Sequence, residues 1–218
     1  MDEQIPLDES ALAAEAHKDN TREVARDVAY KRLAIVNVVF FGPANAGPDN
    51  WVLIDAGVAG TAGIIRRAAE ERFGENARPA AIIMTHGHFD HAGALETLAE
   101  EWDVPIYAHA LELPYLNGTA SYPPPDPSVG GGMMAWMSKL YPRGPYNVSR
   151  WLQPLPADGS VPHMPGWRWI HVPGHTVGQI ALWREGDRVL LPADAFITTR
   201  QESAYAVAVQ KPELHGPP

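Results

Sequence analysis

Seven consecutive residues constrain this chain more than any other stretch: Thr85-His86-Gly87-His88-Phe89-Asp90-His91. They follow an apolar run at 80–84 (AAIIM) that reads as a short buried strand, and they lead into 92–102, which has helical spacing. Four ligand-type side chains therefore crowd the point where a strand meets a helix, and burying them without partners would be costly. In an extended or turning segment, residues two apart point to the same side. His86 and His88 can thus grip one ion, with Gly87 allowing a tight turn between them. Asp90 and His91 project from the first turn of the following helix and can reach a second ion. The chain has no cysteine, which excludes disulfides, thiolate ligands and a Cys nucleophile. Imidazole and carboxylate donors alone suit Zn²⁺ and also admit Fe, Mn or Co. Two ions would sit roughly 3.5–4 Å apart and share a water whose pKa falls toward about 7.

The motif sits in an α/β rhythm. The run LAIVNVVFF at 33–41 is a strongly apolar strand, a Gly/Pro/Asn turn cluster follows, and WVLID closes a hairpin. Residues 61–73 have helical spacing with Ile64, Ile65, Ala68 and Ala69 facing inward, and 104–108 form another strand. The Pro/Gly-rich stretch 117–150 breaks the pattern. Its Met133, Met134, Trp136, Met137, Leu140 and Tyr141 would either form a soft apolar lid over the metals or cover core. Beyond Trp151, the segments WLQPL, GWRWIHV, QIALWR and RVLLPAD read as an antiparallel meander. Residues 1–30 are polar, Ala-rich and acidic and read as a lead-in, with a short helix at 10–17. His109, following a strand, reads as a helix-start histidine, and His171, four before His175 on a strand, could orient a ligand from behind.

The H-x-H-x-D-H segment resembles the motif that defines the metallo-β-lactamase superfamily, and the rest of the chain agrees in order from about Leu33 to Phe196. Asp55 in LIDAG resembles the first motif, His175 in VPGHTVGQ the third, and Asp194 in LLPADAF the fourth, with Pro192-Ala193 replacing the usual glycine context. The resemblance, to glyoxalase II and lactonase-like members above all, implies an α/β (α+β) fold. This is a four-layer αββα sandwich of two mixed sheets with outer helices, occupying 31–218 with the excursion at 117–150. It implies that His86, His88 and His175 hold a first metal with an open position for hydroxide, and that Asp90, His91 and Asp194 hold a second, with Asp194 between the two. It further implies that Asp90 orients the hydroxide or takes up its proton, and that Asp55 supports the metal loops. For the family's fifth motif only His215 remains, in KPELHGPP, whose Pro/Gly flanks read better as a loop. Lack of the family's last αβ element would leave an apolar face open and favour a homodimer.

The formal net charge is −9, which disfavours nucleic acid and anionic membrane as partners. The N-terminus lacks the apolar core of a signal peptide, and no apolar run approaches a membrane span, so a cytoplasmic protein is expected. The expected function is a binuclear zinc hydrolase, with Fe or Mn as alternative ions, cleaving a small ester, thioester, lactone or lactam. Lactone or thioester chemistry is favoured over β-lactam hydrolysis. Two other readings stand beside it. One is a mononuclear iron persulfide-dioxygenase-like oxidoreductase using mainly His86, His88 and either Asp194 or His175. The other is a C-terminally shortened, non-catalytic metal-binding protein.

Overall fold

The computed structural model describes residues 21–125, 137–199 and 212–215. Seven strands form the first sheet in sequence order: β1 Arg22–Ala25, β2 Val28–Leu33, β3 Val36–Phe41, β4 Val52–Ile54, β5 Ala81–Ile83, β6 Ile106–Ala108 and β7 Leu152–Pro154. The pairings from β1 to β4 are antiparallel, and those from β4 to β7 are parallel. The crossovers carry helices α1 (Ala62–Phe73), α2 (Phe89–Ala92) and α3 (Leu95–Trp102). A short α4 (Leu113–Leu116) follows β6. The second sheet is antiparallel in the order β10-β9-β8: β8 Trp167–His171, β9 Ile180–Arg184 and β10 Val189–Leu191. Strands β11 (Ile197–Thr199) and β12 (Pro212–His215) pair by themselves.

Strand alternation builds two cores. Successive residues of a strand face opposite sides, and the central strands are apolar on both. Phe40, Leu53 and Ile82 pack toward the helices, against Ile65, Ala69, Phe73, Leu98 and Trp102. Their neighbours Phe41, Val52 and Ile83 pack the other way, against Trp167, Ile180 and Leu182 of the second sheet. On the helix side the Trp51 ring stacks on Phe73 at 4.5 Å, and Trp102 meets it edge-on. The buried apolar side chains of the helices join the first core, and Ile170 and Leu190 of the second sheet remain exposed. An Arg184 fork on Asp27 (2.6 and 2.8 Å) ties the end of β9 to the β1–β2 turn, with the guanidinium also over Trp167.

Several boundaries differ from those read in the sequence. The lead-in ends earlier than residue 30, because 22–33 form the first hairpin. The run 33–41 is two strands, not one: Ala34, at φ 58°, and Ile35 turn the chain between Leu33 and Val36. Those two turn residues carry none of the usual Gly or Asn chemistry. Ile64 is 39% exposed, so the inward stripe of α1 is Ile65, Ala68, Ala69 and Phe73. β7 does not open the meander but pairs parallel with β6. The expected helix at 10–17 and Met133, Met134 and Trp136 of the expected lid lie outside the described residues. Of the remaining lid residues, Leu140 is exposed to solvent and Tyr141 packs on Phe89 at 4.8 Å.

Candidate metal centre

The centre forms at the C-terminal ends of the parallel strands, where crossovers leave the sheet. The short β5 is fully buried, and the chain emerges from it as Thr85-His86-Gly87-His88 before turning into α2. His88 is the extended residue that caps α2, so Asp90 and His91 fall within its single turn. The second sheet reaches the same point from the other side. The β8–β9 loop brings His175, and a 3-10 turn after β10, Ala193–Ala195, brings Asp194. A backbone bond from Ile180 N–H to the Thr85 carbonyl (3.1 Å) joins the two approaches.

The donor atoms fall into two groups that share one residue. His86, His88 and His175 form one, and His86, His91 and Asp194 the other, with the ligand-type atoms of each group within 4.8 Å of one another. His88 Nδ1 lies 2.8 Å from His175 Nε2. One Asp194 oxygen is 3.3 Å from His91 Nε2 and the other 3.3 Å from His175 Nε2, so the carboxylate spans both groups. Asp90 stands at the edge: its nearest oxygen is 4.0 Å from His91 Nε2, and it belongs to neither tight group.

Asp55, in a left-handed conformation (φ 60°) just after β4, holds this arrangement from behind. One oxygen accepts from Thr85 N–H (2.8 Å), and the other from the Thr85 hydroxyl (2.8 Å) and His91 Nδ1–H (2.8 Å). Because the Thr85 proton goes to Asp55, its oxygen accepts from His86 Nδ1–H at 3.1 Å. Both imidazoles then present Nε2 lone pairs to the centre. Those two Nε2 atoms are buried with no hydrogen-bond partner among the described residues. Orphaned buried acceptors are expensive, and a divalent cation would satisfy both. The donor set fits such an ion.

The electrostatics point the same way at His86, His88 and Asp194, whereas the carboxylates around His91 favour its protonated form, whose proton an arriving ion would displace. Burial, then the neighbouring imidazoles, push His86 well below the ordinary histidine value, and bring His88 down to about 3. Burial also opposes charge on His91, but Asp194, Asp55 and Asp90 outweigh it and hold that pKa well above normal. Asp194 is buried, yet His91, His86 and His175 keep it far below the carboxylate range. Burial raises Asp90, with Asp194 adding to the lift. Neutral imidazoles and an ionised carboxylate are the forms that bind a metal.

Two expected residues lie elsewhere. His171 donates no bond to a ligand side chain; its Nε2 faces the Val177 carbonyl at 2.9 Å and its ring stacks on His109 at 4.3 Å. His215 is not in a loop: its backbone lies on β12, in register with Ile197. Sequence reading also missed Glu112, fully buried beside His109, and Tyr122, whose ring lies 4.5 Å from that of His88. A carboxylate in the apolar context Leu111-Glu112-Leu113 was the available signal.

The chain is similar to known proteins over most of its length. It is 48% identical over 196 residues to the probable metallo-hydrolase YflN of Bacillus subtilis (strain 168), covering 90% of this chain and 74% of that protein. It is 32% identical over 154 residues to the probable metallo-hydrolase YybB of the same organism, covering 71% of this chain and 60% of that protein. The crystal structure of a beta-lactamase domain protein from Burkholderia ambifaria superposes with TM-score 0.59 at 21% identity, over 85% of this chain and 57% of that one. This chain thus spans little more than half of that solved structure. The family model described as the metallo-beta-lactamase superfamily matches residues 32–216. A sheet pair with these ligand-type residues at its rim, a matching family model and relatives of this similarity lead to one conclusion: the chain belongs to the metallo-beta-lactamase superfamily.

Proposed function

We propose that this chain hydrolyses the ester, thioester, lactone or lactam bond of a small molecule with the help of two divalent ions, zinc being the first choice. The observation that carries the reading is the convergence of His86, His88, His91, His175 and Asp194, with two buried imidazole nitrogens that make no hydrogen bond among the described residues. His86, His88 and His175 would hold one ion, and Asp90, His91 and Asp194 the other, with the Asp194 carboxylate shared. When bound, such ions polarise a carbonyl and lower the pKa of water so that hydroxide is available at neutral pH. The chain's own residues supply the rest. Asp55 fixes the His91 tautomer, and Thr85 that of His86. Asp90, beside the cluster but outside its tight groups, is placed to take a proton on Oδ2 from the attacking water. The Phe89–Tyr141 pair gives an apolar surface next to Asp90 for the acyl part of the substrate.

The test is elemental analysis of protein purified without added metal, followed by assay against lactones, thioesters and a chromogenic cephalosporin. Because His86 belongs to both donor groups, His86→Ala should lose metal retention and turnover together. Turnover that survives this change would place the chemistry elsewhere.

A further inference from the structure

Glu112 is fully buried at the start of α4, and four donors converge on its carboxylate. Oε1 accepts from the Thr176 hydroxyl (2.7 Å) and from Gly178 N–H (2.8 Å). Oε2 accepts from Gly87 N–H (3.1 Å) and from the Tyr122 hydroxyl. These partners are not scattered. Gly87 separates His86 from His88, and Thr176 and Gly178 follow His175. Tyr122 also receives a second interaction from Gly87 N–H (2.9 Å), and its ring packs on His88.

We propose that Glu112 is a positioning residue that ties the His86/His88 loop to the His175 loop, so that the three imidazoles converge before any ion arrives. Both glycines are shaped to it. A Cβ on Gly178 would come within 2.8 Å of Glu112 Cγ, and one on Gly87 within 2.9 Å of the Tyr122 oxygen. Two backbone N–H groups, one at each oxygen, demand an acceptor at both, which a carboxylate offers. A glutamine has one. Whichever way its amide turns, its NH₂ faces a backbone N–H, that of Gly87 or that of Gly178. One loop is then released. The hydroxyls of Thr176 and Tyr122 can reverse their roles, but the backbone donors cannot.

The inference rests on the reading of these histidines as metal ligands, and the experiment separates the two. Zn²⁺ and Co²⁺ affinities of the full chain are measured by chelator competition, with the visible absorption of bound Co²⁺ as a second readout and thermal unfolding of the metal-free protein as a third. Glu112→Gln should weaken binding of the first ion by about tenfold or more, the range seen when supports behind ligands are removed, and should change the Co²⁺ spectrum. Thr176→Val, isosteric and lacking one donor, should weaken it in the same direction by a smaller factor, and it decides the matter should Glu112→Gln not fold. A carboxylate that only stabilises the fold would lower the melting temperature of the metal-free protein and leave the affinity and spectrum of the folded protein unchanged, and that result overturns the assignment. Failure of the unsubstituted protein to bind either ion would overturn the metal reading as well.

Discussion

Asp55 illustrates how much of this centre depends on where single protons sit. Its carboxylate accepts three hydrogen bonds, and the one from His91 Nδ1 leaves the other imidazole nitrogen free to donate a lone pair. Asp55→Asn would present an NH₂ either to Thr85 N–H, which cannot accept, or to His91 Nδ1. In the second case the imidazole must carry its proton on Nε2, the atom that faces Asp194. The expected result is a 10- to 100-fold weaker second metal ion, by the usual effect of such supports, with the first ion affected less. Titration with Zn²⁺ by calorimetry should resolve two sites in the parent and one tight site in the variant; two unchanged sites would refute this account. Residues of this kind differ in how well a sequence reveals them. That His86, His88 and His91 would lie together was legible because they fall within six residues of each other, and that Asp55, His175 and Asp194 would join them because their local contexts match known motifs, while Asp90 of the same segment stands at the edge. Glu112 was not, because its partners are backbone N–H groups 25 and 66 residues away, which leave no trace in residue type.

Elements were legible where side-chain periodicity is strong and less so where the backbone turns without turn residues. The α1 helix and the central strands β4, β5 and β6 fall where their apolar pattern places them. The β2–β3 turn was missed because Ala34 and Ile35 continue an apolar run, and the partner of β7 was misread because a short strand says nothing about which sheet edge is vacant. The α2–α3 junction shows a constraint of another kind. Gly93 has φ −62°, open to any residue, yet a Cβ there would lie 2.3 Å from Ala59 N and 2.5 Å from the Phe89 carbonyl oxygen. Both obstacles are backbone and cannot rotate away. Gly93→Ala should therefore cost about 3 kcal/mol, at the upper end of overpacking, or roughly 10 °C in melting temperature for a domain of this size. Gly63, inside α1 with open space around its Cα, gives the contrast: Gly63→Ala should stabilise by about 1 kcal/mol. Urea unfolding of both variants tests the pair, and equal effects would show that the close approach at Gly93 is relieved elsewhere.

At the scale of the whole molecule, the centre is also a joint between the two sheets. His86, His88 and His91 leave from the first sheet, while His175 and Asp194 leave from the second. The apolar core between the sheets, the Arg184–Asp27 pair, the Ile180–Thr85 backbone bond and the Glu112 hydrogen bonds join them too, and the ligand cluster draws loops from both at the strand ends. An ion bound there binds the folded chain and not the unfolded one, so it stabilises by mass action, by about 4 kcal/mol when free metal exceeds its dissociation constant 1,000-fold. For a domain of this size that is a rise of roughly 10 °C or more. The effect should be uneven across the molecule. Amide hydrogen exchange in β8 and β9 should accelerate on chelation, because the second sheet loses a tether, while β4 and β5, enclosed by two cores, should change little. Melting curves and exchange rates that ignore chelation would mean that the sheets are held together without the centre, and that the ligand cluster does not couple them.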